Sequence, residues 1–128
     1  MRFLMLLVAL VGALALGVPA ALADTGTGSG GGIDVSVSLS DEATAGEDFT
    51  VAESITNTTD RLKLIRVTQT LEGPEGVVFS IRYPLFVPAG KTLAFELTFT
   101  FPENVPPGMY SLTLTAGVAS ATATTTVS

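Results

Sequence analysis

The side chains here that could do acid–base or ligand chemistry are carboxylates, hydroxyls, amides and a few lysines and arginines; histidine and cysteine are absent. That removes the Ser-His-Asp triad, the thiolate nucleophile and the imidazole metal site together. No glycine motif follows a strand and opens a helix, so no nucleotide cradle is expected. Tryptophan, the commonest platform for stacking a sugar, is also missing. Paired carboxylates alone can hydrolyse glycosides, but they need a cleft between them. A chain this short offers little room for one, so no catalytic residue and no cofactor are expected.

The carboxylates are still the residues to place. If successive strands run antiparallel, alternate loops share an end. One end then collects Asp41, Glu42, Glu47, Asp48, Glu72, Glu75 and Glu103, and the other collects Arg61, Lys63 and Lys91 with Asp60. Calcium takes several carboxylate and carbonyl oxygens, which makes Asp41, Glu42, Asp48, Glu75 and Glu103 a candidate site. No dense Asp-x-Asp spacing supports it. Head-to-tail docking of acidic end on basic end is a second reading, and a solvated acidic rim a third.

Three further features stand out. Phe49, Val51 and Ile55 share a strand face with Glu53, and Val67 and Leu71 share one with Gln69. A carboxylate on an apolar face is costly unless paired or protonated. Glu53 and Gln69 could hydrogen-bond across the core, Arg66 or Arg82 could reach Glu53, or a β-bulge could turn Glu53 to water, which is the expectation preferred here. Tyr83, Phe86 and Lys91 form a possible ligand patch near the basic end. Asn57-Thr58-Thr59 fits a glycan acceptor pattern but is read by preference as a plain turn between the strand of Glu53 and that of Gln69.

The elements that position these residues follow from periodicity. Leu93, Phe95, Leu97, Phe99 and Phe101 alternate with Ala94, Glu96, Thr98 and Thr100, and the alternation resumes at Tyr110, Leu112 and Leu114. A period of two with one apolar face marks half-buried antiparallel strands. Further strands are expected over Ile33 to Leu39, Asp48 to Thr56, Leu62 to Leu71, Val77 to Tyr83 and Ser120 to Val127. In the fourth of these five, Val77, Phe79, Ile81 and Tyr83 share one face. The threonine-rich last strand reads as an edge open to pairing. Short strands with turn signals between them predict a sandwich or barrel.

Residues 1–23 read as a signal peptide: Arg2, an apolar run from Phe3 to Leu16, then Ala21-Leu22-Ala23, with cleavage expected before Asp24. Residues 24–32, Asp-Thr-Gly-Thr-Gly-Ser-Gly-Gly-Gly, read as a flexible linker. Residues 33–128 are the folded domain. Without the leader the chain has five basic and twelve acidic residues, a net charge of −7, which disfavours nucleic acid and anionic membranes as partners.

Gly46-Glu-Asp-Phe-Thr-Val51, Ile55-Thr-Asn-Thr-Thr-Asp60, Pro88-Ala-Gly-Lys91 and Pro106-Pro-Gly-Met-Tyr110 resemble the immunoglobulin-like accessory domains of bacterial exported proteins, of the cell-adhesion-related and glycosidase-associated types. The resemblance covers Ile33 to Val127. It implies an antiparallel immunoglobulin-like sandwich of about seven strands, and a corner at Gly108 to Tyr110 where the tyrosine hydroxyl returns to the backbone. It implies no catalytic residue. The expectation is a secreted or periplasmic module that binds a protein or cell-surface glycan through loops or an edge strand. Its rivals are a self-assembling envelope subunit and an inhibitor or chaperone-like partner of an exported enzyme.

Overall fold

The computed structural model describes the backbone of Leu7–Val11 and all of residues 24–128; the expected leader otherwise lies outside the described residues. The described chain is all-β. Its strands are β1 (Leu7–Val11), β2 (Asp24–Gly30), β3 (Ile33–Leu39), β4 (Glu42–Ala43), β5 (Asp48–Asn57), β6 (Lys63–Gly73), β7 (Gly76–Val87), β8 (Thr92–Thr100), β9 (Gly108–Ala116) and β10 (Ala119–Val127). They form two sheets, ordered β1-β8-β5-β3-β2 and β4-β10-β9-β6-β7. Pairing is antiparallel except where β4 lies parallel to the end of β10. No helix among the described residues is long and apolar enough to cross a membrane.

The alternation in the sequence becomes the core. Ile33, Val35, Val37 and Leu39 of β3, Val51 and Ile55 of β5, Leu97 and Phe99 of β8, and Leu112 and Leu114 of β9 are buried between the sheets. Side chains of this size each contribute roughly 1.5–3 kcal/mol when fully buried. Toward the acidic end the core is aromatic. Phe101 lies 5.8 Å from Phe49 and 5.3 Å from Tyr110, ring centre to ring centre. Outward positions carry hydroxyls that bond across strands, as between Thr113 and Thr122 at 3.0 Å and Thr56 and Thr92 at 2.7 Å.

The corner expected at Tyr110 is present: its hydroxyl donates to the Pro106 carbonyl at 2.6 Å. The ring lies so close to Gly73 that a Cβ there would overlap it.

Three expectations are corrected. Residues 24–32 are not a linker. They form β2 and a turn at Gly31 and Gly32, both with positive φ, which returns the chain into β3 in antiparallel register. Gly26, Gly28 and Gly30 all face β10, and a Cβ at Gly26 or Gly28 would overlap the carbonyls of Thr122 or Ser120. On β10 the inward residues are Ala119, Ala121 and Ala123. Glycine on one strand and alanine on the other let the two sheets close along this side.

The edge of β10 is therefore not open for pairing. β2 lies along it, β4 pairs with its last residues, and the Asp24 carboxylate accepts the Thr124 N–H at 2.6 Å. Covering an edge in this way removes a template for aggregation.

The fourth expected strand is longer than predicted, and Val77 leaves the face it was expected to share with Phe79, Ile81 and Tyr83. The register between β6 and β7 shifts at Leu71 and Glu72, so Leu71 pairs with Phe79 but Glu72 pairs with Val77. The extra residue turns Val77 outward, 61% exposed. As an edge strand β7 also accommodates Pro84, since a missing N–H on an outer edge breaks no ladder bond.

Candidate binding surface and buried polar cluster

The basic end is built from the turns after β5, β7 and β9 and the β2–β3 turn. Asn57 holds it together. Its side chain is fully buried, with Nδ2 donating to the carbonyls of Arg61 at 2.6 Å and Val87 at 2.9 Å. Its Oδ1 accepts from the Thr59 backbone N–H at 2.9 Å and from the Thr59 hydroxyl at 2.6 Å. Every polar atom of this amide is used, so Asn57 is a structural pin and offers no nitrogen for a glycan.

Around that pin lies an apolar surface. Leu62 and Leu64 are each 61% exposed, Phe86 62% and Val118 78%. Leu64 and Phe86 are direct cross-strand partners on the outer face of β6 and β7. Leu62, Leu64 and Val118 line one groove of about 450 Å³, with Gly30, Gly31 and Lys63 in its wall. Lys63 is held in place by its ammonium, which donates to the Gly31 carbonyl at 2.7 Å.

The ligand patch expected from Tyr83, Phe86 and Lys91 is not assembled. Tyr83 and Phe86 are three positions apart, so the two point to opposite faces of β7. Phe86 stands outside beside Leu64. Tyr83 turns inward and its hydroxyl accepts from Gln69 Nε2 at 3.0 Å. Lys91 is exposed in the turn before β8, its backbone N–H bonded to the Pro88 carbonyl at 3.2 Å. The partners of Phe86 were missed because their significance depends on register. Leu62 and Leu64 have opposite parity to Val67 and Leu71 and so already read as outward, but only pairing with β7 sets Leu64 beside Phe86.

At the acidic end, Glu42, Glu47, Asp48 and Glu96 line a groove of about 510 Å³. Asp48 Oδ1 accepts the Thr100 hydroxyl at 2.6 Å. Asp41, Glu75 and Glu103 lie outside this lining, and Glu75 borders a separate hollow with Val77, Val105 and Tyr110. Among the described residues no three acidic side chains gather closely enough to hold a metal ion. The five residues proposed for calcium are thus not brought together.

Glu53 is in the core, only 3% exposed, and Gln69 is 1% exposed. The bulge expected to turn Glu53 outward does not form. β5 is a central strand, paired without a register shift to β3 and to β8, with Glu53 opposite Val37 and Phe95. A strand held on both sides has no slack for an extra residue, and the irregularity falls on edge strand β7 instead. Arg66 and Arg82 belong to the outward-facing set of β6 and β7 and do not reach it.

Both Glu53 carboxyl oxygens and Gln69 Oε1 lack hydrogen-bond partners. Burial pushes the Glu53 carboxyl up to about 8, offset in part by the nearby Gln69 amide. Burial also raises Tyr83, with the neighbouring Glu53 adding to the shift.

No family model matches the chain, and no curated protein matches it in sequence. It is similar in structure to a β-glucosidase from Listeria innocua in complex with isofagomine, with a TM-score of 0.60 and 15% identity over 74% of this chain and 16% of that one. It is also similar to the Pseudomonas fluorescens alkylpurine DNA glycosylase AlkC bound to DNA containing an abasic site analog, with a TM-score of 0.56 and 10% identity over 69% of this chain and 27% of that one. At such identities the likeness is one of fold. In both cases this chain spans only a minor part of the larger protein.

Proposed function

We propose that the chain is an exported, non-enzymatic binding module of immunoglobulin-like topology that docks a protein or cell-surface glycan on the apolar surface at its basic end. The observation that carries this reading is the set of four large apolar side chains, Leu62, Leu64, Phe86 and Val118, each more than 60% exposed at one end. Contiguous exposed apolar surface rimmed by polar groups marks interaction sites. The sheet order and the Tyr110 corner support the immunoglobulin-like assignment. The leader pattern supports export. The absence of histidine and cysteine supports a role without catalysis.

The test is affinity capture from a cell-envelope extract with wild-type chain and with a Leu64→Asp, Phe86→Asp double variant, followed by mass spectrometry. A specific partner should be retained by the first and lost from the second. Equal retention by both, or no specific retention by either, removes the reading.

A self-assembling subunit is the second reading. It is favoured by the opposite charge of the two ends and by exposed Val77 and Met109 at the acidic end. Light scattering after size exclusion separates the two: assembly predicts mass rising with concentration and falling with salt, whereas the first reading predicts a monomer.

A further inference from the structure

Glu53 and Gln69 meet inside the sandwich with three oxygens that accept hydrogen bonds and nothing that donates to them. One N–H of Gln69 Nε2 is committed to the Tyr83 hydroxyl at 3.0 Å, which leaves its second N–H as the nearest amide donor to Glu53. Oxygens of two acceptors can share a site only if one carries a hydrogen. Beyond the Gln69 amide and the Tyr83 hydroxyl, which has its own hydrogen to donate, the surroundings are apolar. On β5 the same-face neighbours are Val51 and Ile55, and the register partners of Glu53 are Val37 and Phe95. Gln69 is flanked on β6 by Val67 and Leu71 and paired with Ile81 and Leu114. Tyr83 is the one other titratable group acting on Glu53, and it stays neutral across the range concerned.

We propose that Glu53 and Gln69 form a proton-binding site in the core: the Glu53 carboxylic acid donates to Gln69 Oε1, and the domain is held more tightly in acidic than in alkaline surroundings. Loss of the proton reverses the amide. Gln69 Nε2 then donates to the carboxylate, and Oε1 accepts from the Tyr83 hydroxyl. The reversal costs the sandwich its neutral core and reaches β7, whose edge is exposed. The carboxyl at about 8 in the fold and 4.5 in the open chain fixes the window. Below 4.5 both states are protonated and stability is full. As pH rises from there toward 8 the unfolded chain ionises while the fold keeps its proton, so stability falls, and above 8 the loss is complete.

The primary experiment is a carbon-13 titration of the Glu53 side-chain carboxyl by NMR on the full chain between pH 3 and pH 10. A midpoint near 8 is expected, and a midpoint below 5 overturns the proposal. Urea unfolding supplies the second readout. The folding constant should drop about tenfold per pH unit between pH 5 and pH 7.5. Glu53→Gln keeps the shape and donates through its own amide, so it should lose that slope. A wild-type constant independent of pH, or a slope that survives in E53Q, overturns the proposal. If E53Q does not fold, the wild-type titration decides alone.

Discussion

Gly28 lies against the Ser120 carbonyl so closely that no Cβ fits between them. This contact, repeated at Gly26 and Thr122, seats β2 on β10 and closes one side of the sandwich. Gly28→Ala should therefore lower stability by about 1–3 kcal/mol, the usual cost of overpacking. Thr27→Ala, on the opposite and exposed face, should stay within about 0.5 kcal/mol of wild type. Urea denaturation of the two variants checks the pair. A neutral Gly28→Ala would mean that β2 is not seated as described.

Tyr110→Phe removes the hydroxyl that satisfies the Pro106 carbonyl and keeps the ring against Phe101. The expected loss is about 1–2 kcal/mol, the cost of one strong hydrogen bond to a carbonyl that then goes unpaired. Thermal unfolding monitored by circular dichroism should show a lower midpoint and an unchanged sheet spectrum.

Asn57→Ala breaks the side-chain bonds that tie the turn after β5 to the end of β7. Stranding the Val87 and Arg61 carbonyls and the Thr59 N–H should cost about 2–4 kcal/mol. Hydrogen exchange should show the loss first in residues 57–62 and 87–91, because the pin binds those segments to each other.

Calcium should leave the domain unchanged. Glu42 and Asp48 line one groove while Asp41, Glu75 and Glu103 lie outside it, and Asp48 is already bonded to Thr100. Millimolar calcium and chelator should give superimposable melting curves. A rise in midpoint with calcium would require these residues to regroup.

Glu53→Leu fills the same core volume with apolar atoms. At pH 8 to 9 it should be more stable than wild type, by an amount that shrinks toward zero as the pH falls to 4. The span between the extremes is a few kcal/mol, each unit of displaced pKa being worth about 1.4 kcal/mol. Unfolding curves at pH 4 and pH 9 compare the two proteins directly.

Sequence reading recovered the seven principal strands because their faces are written in large apolar residues. Leu97, Phe99, Leu112 and Leu114 each carry an unambiguous inward signal. β2 escaped because its buried face is made of glycine, which has no side chain to register as apolar. The clue was available in the strict alternation of Thr25, Thr27 and Ser29 with Gly26, Gly28 and Gly30: a period of two in which one face is bare, as a strand meeting a neighbour's backbone requires.

Glu53 was correctly singled out as anomalous and assigned to the wrong remedy. A bulge was the cheaper solution locally, but which strand can bulge depends on its place in the sheet, and that place is set by pairings far away in sequence. The exposed surface around Leu64 and Phe86 was illegible for the same reason. One residue of extra length at the start of β7 turns Val77 to water.

The bond from Asp24 to Thr124 joins the first and last long strands of the folded unit. β2 has no seat until β10 is in position, and β3 lacks part of its cover until then as well. A chain still emerging from a ribosome or a translocation pore cannot complete this domain from its leading end. It must wait until β10, Ala119–Val127, is available. Such a chain stays threadable through a narrow channel until β10 has passed.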